Sequence, residues 1–184
     1  MRIKYVILNG PPNSGKSTVA RWLTRQLSIS DDFQTAIQDE PAGPVKHFVA
    51  TLLGERYSEM NKDKPRAELG GRSVRQFVIN LSEDHIKAEY GPDFLGRMLV
   101  YRSLRRLNPK PDYVILESSQ DGAEIDAIPD RYIVRMDRDG CTFDNDSRGF
   151  LATPNFILLN NGSLDDLMGT VILLVENIKA WAQR

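Results

Sequence analysis

Eight residues carry the chain's clearest chemistry: Gly10-Pro11-Pro12-Asn13-Ser14-Gly15-Lys16-Ser17. They meet the pattern G-x-x-x-x-G-K-[ST] at each fixed position. In such a loop the backbone N–H groups and the start of the following helix are aimed at phosphate oxygens. Lys16 is placed to reach β- and γ-phosphates, and the Ser17 hydroxyl to sit on Mg²⁺. The expected phosphate-binding set is Gly10, Asn13, Ser14, Gly15, Lys16, Ser17 and the adjoining Thr18.

The flanks fit that chemistry. Tyr5-Val6-Ile7-Leu8 is an apolar run that reads as a buried strand over residues 2–9. Val19, Trp22, Leu23 and Leu27 recur at helical spacing just after the loop. A second strand is expected over residues 33–38. Pro44 opens a helix with an apolar face of Val45, Phe48, Val49 and Leu52, and Gly54 closes it. Residues 55–71 read as a mobile loop. Ser73 and Gln76 form a capping box for a helix whose inner face is Val74, Phe77, Val78, Leu81, His85 and Ala88. A further helix spans residues 93–107, with Phe94, Leu95, Met98 and Leu99 inward. The runs Tyr113-Val114-Ile115-Leu116, Tyr132-Ile133-Val134 and Phe156-Ile157-Leu158-Leu159 read as three more buried strands. Ser163 caps a last helix with Leu164, Leu167, Met168, Val171, Val175 and Ile178 inward.

Strands alternating with helices argue for a parallel sheet covered on both faces. Ligands of such sheets bind at the carboxyl ends of the strands. After the second strand stand Glu40 and Lys46. Lys46 lies in the first turn of its helix, where a cation opposes the helix dipole unless a phosphate binds there too. Arg72 and Arg75 begin the capped helix and have the planar fork suited to phosphate. Gln76 is explained by the capping box alone. Glu117 follows the third strand, close to the phosphate loop, where it could hold Mg²⁺ through water. Arg138 and Arg148 lie on a polar stretch after the fourth strand that could close as a lid over reacting phosphates. Asn161 and Gly162 follow the fifth, beside the first loop.

Bulk properties narrow the classes. The 184 residues are 41% hydrophobic with a net charge of −1, which excludes a disordered chain and gives no general drive toward nucleic acid or membrane. One cysteine, Cys141, allows no internal disulfide, and one cysteine with two histidines makes a poor zinc site. No signal-peptide h-region or bilayer-length apolar run is visible, so a cytoplasmic protein is expected.

Four stretches in order resemble the deoxynucleoside monophosphate kinases of bacteriophages. They are the phosphate loop, Ala42-Gly43-Pro44-Val45-Lys46, Ser73-Val74-Arg75-Gln76 with its helix, and Asn161-Gly162-Ser163-Leu164. Arg138-Asp139-Gly140 is similar to that family's arginine turn at the start of the lid. The resemblance implies one P-loop NTPase domain over residues 1–184, a three-layer α/β/α fold with a five-stranded parallel sheet. It implies a helical acceptor-binding insertion at about 41–107 and a short lid at about 138–152. It implies Mg²⁺-dependent phosphoryl transfer from ATP to a (deoxy)nucleoside monophosphate in a bacterial host's cytoplasm, by a monomer or homodimer. ATP is expected on the loop with its base near Arg138, Asn161 and Gly162. Lys46, Arg72 and Arg75, with Glu40 nearby, are expected at the acceptor, and Lys16 with the lid arginines Arg138 and Arg148 at the transferring group. Glu117-Ser118-Ser119-Gln120 departs from the family, many of whose members have an aspartate and then an arginine there.

Other acceptors remain open on this scaffold. Glu40-Pro41 resembles the deoxynucleoside kinases, where such a glutamate is the base for a hydroxyl, and also thymidylate kinase. A modified DNA base, a phosphomevalonate-like or a dephospho-coenzyme A-like acceptor fits the same loop. A nucleotide-binding switch is the reading from another class, although no N-K-x-D guanine motif is present.

Overall fold

The computed structural model describes residues 3–28, 35–105, 111–118, 122–144, 149–150 and 153–184. Arg148 lies outside the described residues, as do Phe33 and Gln34 of the expected second strand, Leu107, and Ser119 and Gln120.

Five parallel strands form one sheet: β1 (Lys4–Asn9), β2 (Ala36–Asp39), β3 (Tyr113–Ser118), β4 (Arg131–Asp137) and β5 (Phe156–Leu159). Their order across the sheet is β2-β3-β1-β4-β5. β1 is central, with Ile7 opposite Leu116 on one side and Ile133 on the other. Both faces of β1 are apolar because both are covered, as parallel sheets require. On one face α1 (Lys16–Ser28) and α7 (Leu164–Ala182) pack Leu23, Leu27, Val171 and Leu174 against Val6, Leu8 and Ile115. On the other, Leu99 and Ile125 pack against Tyr5, Ile7 and Leu116. Those two residues come from α5 (Phe94–Arg105) and α6 (Gly122–Asp126), the latter without a forecast in the sequence. This is the expected three-layer α/β/α arrangement.

A third apolar cluster lies beside the sheet, where Val45, Val49, Val74, Val78 and Leu95 meet. It holds α2 (Gly43–Leu53) and α3 (Val74–Asn80). Gly54 ends α2 in the left-handed conformation, its N–H donating to Ala50 and Thr51 carbonyls. The Ser73–Gln76 capping box forms in both directions. Residues 55–71 form a packed segment with one 3₁₀ turn, Ala67–Leu69, and with Met60 and Leu69 buried in the same cluster.

Three expected faces are corrected. Phe48 and Leu52 of α2 are exposed, since the cluster reaches only Val45 and Val49. Leu164 is exposed and Leu174 takes a core position in α7. The third is the helix after Ser73. It runs through a π-helical stretch, Leu81–Lys87, before closing in α4 (Ala88–Tyr90). The wider turn takes up extra residues and rotates the following face by about 100° per residue. His85 and Ala88 therefore face outward, while Ser82 and Lys87 turn inward.

Lys87 is thereby delivered to a buried ion pair. Its ammonium is 2.8 Å from Glu124 of α6 and 2.8 Å from Glu83. Burial alone would push the ammonium down, but the two carboxylates outweigh it and hold Lys87 above the ordinary lysine value. α5 and α6 also touch backbone to backbone, since a Cβ on Gly96 would fall 2.1 Å from the Glu124 carbonyl oxygen. Lys87→Met strands a buried carboxylate and is expected to lower the unfolding free energy by about 3–5 kcal/mol in urea titrations. Lys87→Met/Glu124→Leu should recover most of that loss. The contribution of Lys87 is complete below the unfolded lysine value of about 10.4 and is lost as pH rises through the higher folded one. A single-variant loss below about 1 kcal/mol would show that the pair does not hold the helix.

Candidate active site

The loop between β1 and α1 is shaped by local backbone chemistry. Asn13 and Gly15 take positive φ, 63° and 98°. This turns the chain sharply between the strand and the first helical N–H groups, and Gly15 accepts the N–H bonds of Thr18 and Val19. Gly10 meets a different need. A Cβ there would lie 2.6 Å from the Met136 carbonyl oxygen, so only glycine lets the loop lean on β4. Lys16 arches back over the loop, its ammonium donating to the Gly10 carbonyl at 2.8 Å and the Pro11 carbonyl at 2.6 Å.

Strand pairing brings in the neighbours. Leu8 of β1 lies opposite Glu117 of β3, so the Glu117 side chain leaves the sheet at the level of the loop. The Ser17 hydroxyl donates to its Oε2 at 2.6 Å. These are two hard oxygen donors of the kind Mg²⁺ prefers, and a cation between them would find a hydroxyl and a carboxylate already converged. Just after β4, the Arg138 guanidinium donates to the Asn13 carbonyl at 3.1 Å. From the end of β5, Asn160 donates through Nδ2 to the Ser14 carbonyl at 2.9 Å. Asn161 accepts from the Asp139 N–H at 2.8 Å, which ties the turn after β4 to the turn after β5. Gly162 is exposed and lies against the Asp166 carboxylate that caps α7 through Ser163.

Facing the loop is a cavity of about 520 Å³ whose wall includes Glu40, Lys46, Tyr57, Lys62 and Glu117. Lys46 and Glu40 form a close ion pair. Glu40 is held from behind, because Arg102 of α5 donates to its carbonyl at 2.5 Å and to the Asp39 carboxylate at 2.8 Å. The Tyr57 ring lies under two ammonium groups, Lys62 at 4.8 Å and Lys46 at 5.5 Å from its centre. Burial raises the Tyr57 phenol above its ordinary value and the nearby Glu40 raises it further, so it stays protonated at neutral pH. Arg75 binds Asp63 through Nε at 2.7 Å and is outside the cavity wall. Arg72 is exposed on the turn before α3 and is likewise absent from that wall.

The structure thus brings together Gly10, Asn13, Ser14, Gly15, Lys16, Ser17, Thr18, Glu117 and Arg138 at one edge of the sheet, with Glu40 and Lys46 across the cavity. Tyr57, Lys62, Arg102 and Asn160 join them without having been singled out. Lys62 and Tyr57 sit in a segment whose composition reads only as a loop. Asn160 has turn formation as its ordinary explanation.

No protein-family model matches the chain, and no curated protein matches it closely enough to be a relative. Among solved structures, APE1195 superposes with a TM-score of 0.52 at 14% identity, over 98% of this chain and 97% of that one. The APS kinase CysC of Mycobacterium tuberculosis, solved with AMPPNP and APS, superposes with a TM-score of 0.49 at 18% identity, over 95% of this chain and 98% of that one. With a phosphate loop at the end of its central strand, the five-stranded α/β/α sheet is a P-loop NTPase fold.

Gly15 and Asn160 are mutually dependent, because a Cβ on Gly15 would fall 2.4 Å from Asn160 Nδ2. Gly15→Ala is expected to cost about 1–3 kcal/mol from positive φ and that clash together. In an Asn160→Ala background only the φ part should remain, so a urea-titration double-mutant cycle should show coupling. Additive losses would mean that the asparagine does not pack on the loop.

Proposed function

We propose that this protein transfers the γ-phosphoryl group of ATP to a (deoxy)nucleoside monophosphate. The observation that supports this most is the double position of Glu117. It accepts the Ser17 hydroxyl at the phosphate loop and also lines the cavity that holds Lys46 and Glu40. Donor phosphates on the loop and an acceptor in the cavity would therefore meet at one carboxylate.

An acceptor phosphate oxygen attacks the γ-phosphorus, the bond from γ-phosphorus to the β–γ bridging oxygen breaks, and ADP leaves with that oxygen. The attacking oxygen is already anionic, so positioning and charge neutralisation are what this chain must supply. Lys16 leaves the Gly10 and Pro11 carbonyls for the β- and γ-phosphates. Ser17 and Glu117 are the residues that would hold Mg²⁺, which would neutralise phosphate charge when bound. Lys46 faces the acceptor's phosphate. Arg138, with Arg148 of the lid, adds positive charge beside the nucleotide, and Asn161 and Gly162 border its base.

A hydroxyl acceptor is favoured by one specific observation, namely that Glu40 lines the cavity and could take a proton there. Glu40→Gln separates the two readings. A phosphate acceptor needs no base, so turnover should fall by less than about ten-fold, whereas a hydroxyl acceptor would lose about 10²-fold or more.

The test of the main reading is ADP release from Mg²⁺-ATP across a panel of ribo- and deoxyribonucleoside monophosphates. Stimulation by one or a few of them is expected. Lys16→Ala should lower kcat by at least about 10²-fold. Glu117→Gln should raise the Mg²⁺ concentration needed for half-maximal rate. Absence of stimulation by every monophosphate, with ATP still bound, would overturn the assignment of the acceptor.

A further inference from the structure

The cavity facing the phosphate loop balances its charges in an uneven way. Asp39 is paired with Arg102, Glu40 with Lys46, and Glu117 accepts from Ser17. Lys62 also faces the cavity, yet forms no ion pair with a carboxylate among the described residues. Its sequence neighbour Asp63 is taken up by Arg75, which holds the Asp63 carboxyl below its ordinary value. The Lys62 ammonium rests instead on the Tyr57 ring, which it shares with Lys46. Lys46 already has the Glu40 carboxylate beside it, so of the two ammonium groups on the ring only Lys62 has no carboxylate partner among the described residues. An anion bound between the two lysines would supply that partner while the ring's negative face supplies part of the attraction.

The backbone around Lys62 is built to keep it there. Asn61 accepts through Oδ1 from the Asp63 N–H at 3.3 Å and the Lys64 N–H at 3.2 Å, closing a tight turn. The Lys62 carbonyl accepts the Arg75 N–H at 2.9 Å, and the Arg75 side chain grips Asp63. The start of α3 thus holds the turn at the Lys62 carbonyl and at the residue that follows it.

Building on the proposed phosphoryl transfer, we infer that Lys62, together with Lys46 over Tyr57, is the phosphate clamp of the acceptor site. Arg75 is then a positioning residue that acts through the turn it holds. The ligand chemistry is a phosphate monoester dianion, and specificity for a charged over a neutral acceptor is set by this lysine pair.

The experiment is calorimetric titration of inorganic phosphate into protein saturated with a non-hydrolysable ATP analogue, which keeps the probe off the phosphate loop. Wild-type protein should bind phosphate, Lys62→Ala should bind it roughly ten-fold more weakly, and Lys62→Arg should restore most of the affinity. If Arg75 acts through Lys62, Arg75→Ala weakens binding on its own but adds nothing to Lys62→Ala. Unchanged phosphate affinity in Lys62→Ala, or no phosphate binding by wild type, overturns the inference. So does an Arg75→Ala loss that adds fully to that of Lys62→Ala, since the arginine would then touch the anion itself. The outcome is separate from that of the kinase reading: a clamp that binds phosphate in a protein that phosphorylates no monophosphate would leave the lysines in place and remove only the proposed acceptor.

Discussion

The parallel pairing of β1 between β3 and β4 is the constraint on which the rest of the molecule depends. A central strand has every backbone group bonded sideways, so its carboxyl end is the one place where the chain can leave the sheet with free polar groups. The phosphate loop begins there. The same register sets Glu117 beside Ser17 and brings Met136 of β4 close enough that residue 10 can only be glycine. One residue of slip in β3 would turn Glu117 to the other face of the sheet and break the contact with Ser17.

Around that edge the fold solves a charge problem. Ionised groups near the cavity are costly to desolvate unless they are paired, and most of them are. Arg102 spans from α5 to Asp39 and the Glu40 backbone, so the helix on the far face of the sheet fixes the loop after β2. Lys87 and Glu124 do the same deeper inside, linking the helix after Ser73 to α6. The π-helical stretch Leu81–Lys87 is what aims Lys87 inward. The helices beside the sheet are therefore joined to α6, in the layer that covers the sheet, by an ion pair and one close backbone approach at Gly96. Among the described residues, no helix is long and apolar enough to cross a membrane.

Local signals in the chain carried a large part of this. The phosphate loop, the capping box at Ser73, the cap at Ser163, Gly54 as a helix stop and the apolar runs of β1, β3, β4 and β5 all act over a few residues, so spacing and residue type suffice to read them. Glu117 was also legible, because a carboxylate at the end of a buried strand has few places to go. What tertiary structure decided is of another kind. The inward turn of Lys87 depends on a π-helical stretch that periodicity at 3.6 residues cannot register. The exposure of Phe48 and Leu164 depends on how far neighbouring elements extend, which an amphipathic pattern does not state. Lys62, Tyr57, Arg102 and Asn160 reach the site from segments distant in sequence, through contacts that no local spacing encodes. Local chemistry chose the elements and the phosphate loop, and long-range packing chose which charged side chains face the cavity beside it.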